Sequence, residues 1–333
     1  MATQVRGPSA LDQALEWARR NPAQTAVGIL ALIVLALIVR YGLHDVAQAS
    51  INGLVSGSYY ALGAVGLTLV YGILKLTNFA HGDFLTFGAY MAFLATATWG
   101  LPLVAGILLA VAATAALGVG FEKVLWRPMR RRKAGLLQLL LISIGLAFVI
   151  RNGIQLYWGS TQRKIEADTG ATVEFLGLRI GRIALFVMIA GFVVLLLVAI
   201  MLRRSSLGRQ MRALADNFDL AETAGIDTDR VVTATWIFAG GLAGLAGVLY
   251  ATALGAFNPN TGFALLLSLF AAVILGGIGN AYGALAGGIV LGLVQEWSTL
   301  VVPGQWKIAV GFGVLIIVLI VRPQGIFGRE RTL

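Results

Sequence analysis

"NGLVSGSYYALGAVGLTLVYGIL" runs from Asn52 to Leu74 without one charged side chain. A helix of that length crosses roughly 30 Å of hydrocarbon, so the stretch reads as a transmembrane helix. Asn52, Ser56, Tyr59 and Gly63 stand at i, i+4, i+7 and i+11 and share one helical face. A polar face inside lipid must meet another helix or a water-filled cavity. Two readings fit: the lining of a translocation path, or interhelical hydrogen bonds worth about 0.6 kcal/mol each.

The rest of the chain agrees with a membrane setting. Of its 333 residues 58% are hydrophobic and only 12% charged, against about 25% charged in ordinary soluble domains. Apolar runs fall at 24–40, 51–74, 80–98, 101–121, 134–157, 182–202, 231–254 and 305–321. A further run, 266–295, is interrupted by "GGIGN" at 276–280, and each of its halves is short for a crossing. The expected fold is therefore all-α: a polytopic membrane helical bundle of about eight full spans plus a Gly-interrupted re-entrant or broken pair. Pairs of Gly four apart ("GLVSG" 53–57, "GGLAG" 240–244, "GALAG" 283–287, "GIVLG" 288–292) predict close helix packing.

Charge sets the expected orientation. With the N-terminus inside, the inner segments hold most of the 25 Lys and Arg, "RPMRRRK" at 127–133 foremost. The net charge of +10 thus reads as a topology signal and not as a nucleic-acid surface. The run Thr25–Val39, after Arg19 and Arg20, has the look of a signal peptide but is read as a retained helix. The long outer segment 158–181 contains "TVEFLGLRIGR" (172–182), which predicts a small hairpin, either a lid or a docking surface for an external protein.

Much chemistry is excluded. No Lys is followed by Ser or Thr, so no phosphate-binding Walker loop exists, and neither HExxH nor GxSxG occurs. There is no Cys, and His44 and His81 lack partners at metal-ligand spacing. No metal site, bound cofactor or catalytic residue is expected in this chain. Asp45, Asp83, Glu122 and Glu296 fall near predicted span ends, which argues against a proton-coupled carrier.

Two further stretches carry candidates. The inner stretch 207–231 is long for a simple link. Asn217, Ala221 and Gly225 fall four apart there, with Asp216 or Asn217 as a cap and Gly225 as a terminator, which suits a short helix offered to a soluble partner. "NFAHGDFLTFGAY" (78–90) is placed at the inner ends of two spans, where His81 and Asp83 reach water or headgroups at low cost. Gly-interrupted segments often line a transporter's path. Asn78, His81 and Asp83 are therefore candidate path or gate residues beside Asn52, Ser56 and Tyr59. Asn280 joins them, with "GGIGN" taken as the counterpart of "NFAHG" in the other half.

The stretches 52–84, 208–227, "FAAVILGGIGNAYGALAGGIVLGLVQ" (270–295) and "RPQGIFG" (322–328) resemble the permease subunits of branched-chain amino-acid ABC importers, the Liv-type permeases. The resemblance covers nearly everything from Ile51 onward. It divides the chain into an N-terminal cytoplasmic segment with an extra helix (1–50) and a permease transmembrane domain (51–333). It implies a bacterial inner-membrane protein with both termini cytoplasmic, and a second permease subunit, homologous and different or a second copy. Two cytoplasmic ABC ATPase subunits would carry ATP and Mg, and a periplasmic binding protein would deliver substrate. It also implies that 207–231 holds the coupling helix, with Asp216, Asn217, Ala221, Glu222, Ala224 and Gly225 in that role. The implied substrate is a branched-chain or other hydrophobic amino acid. Relatives for urea, short amides or other amino acids share much of the pattern, and a stand-alone carrier or channel is the rival of another class.

Overall fold

The computed structural model describes residues 22–166, 171–175 and 177–326. Both chain ends, and the last two residues of "RPQGIFG", lie outside the described residues. The elements in order are α1 (Pro22–Tyr41), α2 (Leu43–Leu74), α3 (His81–Phe93), α4 (Leu103–Phe121), α5 (Arg127–Arg131) and α6 (Leu136–Trp158). A two-stranded antiparallel hairpin follows, β1 (Thr172–Phe175) and β2 (Leu178–Gly181). Then come α7 (Arg182–Arg204), α8 (Ser206–Asp216), α9 (Phe218–Thr223), α10 (Thr228–Leu254), α11 (Thr261–Gly276), α12 (Ala281–Ser298) and α13 (Lys307–Val321).

The bundle is helical, as expected. Among the described residues five helices are long and apolar enough to cross a membrane: α2, α4 continued through α5, α6, α7 and α10. The bent pair α11–α12 makes a sixth if it is taken as one span. The apolar parts of α1 and α13 are shorter. The pair turns through 120° at a break where Gly277 and Gly279 have φ of 103° and 84°, a backbone that side chains with a Cβ rarely adopt. Asn280 caps α12 there, its Oδ1 accepting from the Tyr282 and Gly283 amides.

Helix α2 starts well before Ile51, because the polar residues of its first turns have partners. Gln48 exchanges two hydrogen bonds with the backbone of Arg179, and a His44 ring nitrogen lies 3.0 Å from the Gly177 carbonyl oxygen. The predicted hairpin is thus pinned to the start of α2.

Burial separates the helices into an inner and an outer set. The apolar window of α2 is 94% buried and that of α10 72%, whereas those of α4 and α7 are 22% buried. The outer helices present bare Leu, Val and Ile, as lipid-facing surfaces do. The small-residue spacings explain how α2 and α10 are enclosed. A Cβ on Gly288 would lie 2.5 Å from Ala61 Cα, and one on Gly88 would lie 2.5 Å from Gly244 Cα. These helices touch backbone to backbone, where only Gly fits.

The two halves repeat a motif. Helix α2 ends in a left-handed cap at Lys75 (φ 52°), and α10 ends in one at Gly255 (φ 75°). The Asn78 side chain accepts from the Ala80 amide at 3.1 Å, and the Asn258 side chain accepts from the Asn260 amide at 2.9 Å. Then α3 opens at His81 and α11 at Thr261. Lys75, Asn78, His81 and Gly82 thus recur as Gly255, Asn258, Thr261 and Gly262 at identical spacing. The two helix starts meet: a Cβ on Gly82 would lie 2.5 Å from the Gly262 carbonyl oxygen. The counterpart of "NFAHG" is therefore "NPNTG" at 258–262, and not "GGIGN".

Candidate functional site

The polar face of α2 opens onto a cavity of about 710 Å³ at the end of the bundle that carries the β-hairpin. Asn52, Ser56 and Tyr59 line it together, as their helical spacing requires. Gly63, next along the same face, does not, and packs on Leu269. Opposite α2 the wall comes from Glu296 of α12, Lys307 of α13 and the end of α10, Thr252 to Leu254. The extended stretch after α6 contributes Lys164, Ile165 and Glu166. That stretch is held in place by a bridge in which Arg163 and Phe257 exchange backbone hydrogen bonds of 2.8 and 2.9 Å.

A polar chain runs along the wall. The Tyr59 hydroxyl donates to Ser56 Oγ at 3.1 Å, and Ser56 donates to Glu296 Oε1 at 2.9 Å. Lys307 Nζ donates to the same Oε1 at 2.9 Å. Deeper in, Tyr60 donates to Gln295 at 2.7 Å and the Tyr59 and Tyr250 rings stand 5.0 Å apart. Tyr60 and Gln295 are both buried. Glu296 was read from sequence only as a carboxylate near a span end, and Lys307 was not singled out. The signal was a carboxylate in the otherwise apolar run of α12 and a Lys that returns beyond the "VPG" turn.

The residues of "NFAHGDF" occupy a different place. Asn78, His81 and Asp83 are fully buried, contrary to the expectation that His81 and Asp83 reach water at an inner end. The chain doubles back after Leu74, so that His81 Nε2 lies 3.0 Å from the carbonyl oxygen of Gly63. Gly63 is about three turns, roughly 16 Å, from the end of α2. Helix α3 therefore starts in the interior. Asp83 accepts two hydrogen bonds from Arg151 of α6, at 2.9 and 3.1 Å. The guanidinium carbon also lies 4.2 Å from the centre of the Phe263 ring on α11. Arg151, a lone charge in an apolar helix, thus ties α6, α3 and α11 together. Asn280 lies at the opposite end of the bundle from the cavity, next to Gly279, which contacts Gly72 and Thr68 of α2. The candidate path residues are thus split between the cavity, the interior and the far end.

The 207–231 stretch folds into α8 and α9 with a break between them. Asn217, rather than Asp216, is the cap, with Oδ1 accepting from the Leu220 amide at 3.0 Å. Gly225 ends the element in a left-handed conformation, φ 84°. Asp216, Asn217, Glu222, Ala224 and Gly225 are exposed, while Ala221 is buried at 5% exposure. Leu220 stands bare beside it at 66%. Arg203, Arg204, Arg209 and Arg212 surround this end, and Arg127 pairs with Asp229 nearby.

The profile of the family described as "Branched-chain amino acid transport system / permease component" matches residues 49–319. The chain belongs to this family. It is 35% identical over 303 residues to the high-affinity branched-chain amino acid transport system permease protein BraD of Pseudomonas aeruginosa, covering 87% of this chain and 98% of that one. It is 36% identical over 298 residues to permease protein LivH of the same-named system of Escherichia coli K12, covering 86% and 96%. A weaker likeness, 25% over 340 residues, links it to permease protein LivM of Escherichia coli K12, covering 91% of this chain and 75% of LivM. The family match begins within α2 and takes in every later described element through α12 and most of α13. Helix α1 lies ahead of the matched residues.

Proposed function

We propose that this permease is a membrane subunit of an ATP-binding-cassette importer that moves branched-chain amino acids, or other hydrophobic amino acids, across a bacterial inner membrane. The observation that carries this reading is the end-to-end likeness to BraD and LivH, which spans almost the whole of both relatives. The geometry agrees. One end of the bundle holds an open cavity with polar lining residues, and the other holds a capped, exposed helical elbow among arginines. The basic end then faces the cytoplasm, as the positive-inside rule requires, with both termini on that side.

Partner ATPases would bind the α8–α9 elbow and carry the ATP and Mg, since this sequence has no Walker loop. The exposed residues Asp216, Asn217, Glu222, Ala224 and Gly225 would form the coupling surface, with Ala221 anchoring α9 from beneath. A periplasmic binding protein would dock at the hairpin end and empty into the cavity. Likeness to two differently named permease proteins of one Escherichia coli system favours a homologous but different second permease. Asn52, Ser56 and Tyr59 line the outer path in this reading. Asn78, His81 and Asp83 hold the interior helix starts whose relative movement would open it, and Asn280 fixes the inner turn. Closing the ATPase pair would bias the bundle between its two open states.

The test is uptake of radiolabelled leucine into proteoliposomes holding the complete complex. Uptake that needs both ATP at the basic face and the loaded binding protein at the other supports the proposal. Uptake by this chain alone would contradict it.

A further inference from the structure

We infer that the Glu296–Lys307 pair is a way-station for the charged head of the transported molecule, and that the head is a zwitterion carrying adjacent cationic and anionic groups. This rests on the cavity being the import path. Among the described residues the two hydrogen-bond partners of Glu296, Ser56 Oγ and Lys307 Nζ, bind the same oxygen, Oε1. Oε2 accepts no hydrogen bond from the described residues and is not sealed from solvent, and Glu296 lines the cavity. The Lys307 side chain is about one-third exposed (35%) and spends one of its three ammonium hydrogens on Glu296. The wall therefore presents a carboxylate acceptor and ammonium donors side by side.

That pattern matches the ammonium and carboxylate of an α-amino acid in mirror order. A substrate ammonium would bind Oε2 and the substrate carboxylate would bind Lys307, with no proton transferred and no net charge buried. The same pair disfavours ions of a single sign, because each would leave one member of the wall unanswered. Aliphatic side chains have a surface beside the pair in Val55, Ile165 and Ile183. The volume lies within the roughly 300–1,000 Å³ of small-molecule sites. Lys307 and Glu296 stand on consecutive helices joined by a short turn, so movement of α13 against α12 changes their spacing. Such movement offers a route from capture to release.

The experiment uses the complete reconstituted complex with its loaded binding protein, comparing wild type, Glu296→Gln and Lys307→Met. ATP hydrolysis stimulated by the binding protein is measured beside leucine uptake. The expected result is uptake lowered about tenfold or more in each variant, the effect of losing one charge-assisted hydrogen bond in transit. Stimulated hydrolysis and the half-saturating concentration of binding protein should stay near wild type. Glu296→Gln keeps an acceptor for Ser56, and Lys307→Met leaves the Glu296–Ser56 bond in place. Should the first variant fail to assemble, the second decides alone. Wild-type uptake in an assembled variant overturns the inference. Absence of leucine uptake by the wild-type complex overturns the proposed function instead.

Discussion

Asp83→Asn and Arg151→Met should each damage the bundle far more than the two together. Asp83 has no exposed side-chain surface and Arg151 only 11%. Two hydrogen bonds join them, and Phe263 covers the guanidinium. Removing either partner strands the other charge in the interior, at a cost of about 3–5 kcal/mol. Replacing both removes both charges, so the double variant escapes the penalty of an unpaired ion. It still loses the ring contact, about 0.5–2 kcal/mol. If the singles cost about 4 kcal/mol each and the double about 2, the coupling in the cycle is near 6 kcal/mol. The assay is the unfolding of purified protein in one detergent, for all four members. Costs that add to within about 0.5 kcal/mol would show that carboxylate and guanidinium do not meet, and would refute the placing of α3 in the interior.

Gly88→Ala drives a Cβ into the α10 backbone at Gly244, so its unfolding temperature should fall, by overpacking of about 1–3 kcal/mol. Gly145→Ala in α6 meets nothing within 4 Å and should be neutral or slightly stabilising in the same assay. Leu220→Glu changes a bare side chain on α9 and should abolish binding of the ATPase subunits in pull-down while leaving the melting temperature alone. Ala221→Arg, pointing inward, should lower that temperature as well. Asn217→Ala removes the cap of α9, worth about 1 kcal/mol, and should weaken ATPase binding severalfold.

Much of the fold was legible because lipid imposes simple rules. Uncharged runs gave helices, small-residue spacings gave backbone contacts, and "TVEFLGLRIGR" gave the hairpin. The face shared by Asn52, Ser56 and Tyr59 followed from helical period alone. What escaped was depth. A hydropathy run does not show that the chain doubles back after Leu74, so Asp83 was assigned to an aqueous end. Its partner Arg151 lies far along the chain, and such pairing has no local signal. The repeat was hidden because it rests on backbone conformation, with Lys75 matched to Gly255 and His81 to Thr261. Glu296 lay at the end of its run in sequence but at a cavity wall in space.

The chain contains no cysteine, which makes one introduced thiol a specific probe. Asn52→Cys places it on the exposed part of the cavity lining. The decisive measurement is reaction of this variant, in the assembled complex in proteoliposomes, with a membrane-impermeant thiol reagent from the hairpin side, followed by leucine uptake. If this cavity is the import path, the thiol is labelled from that side and uptake stops in proportion to labelling. Full labelling with uptake unchanged would contradict the account.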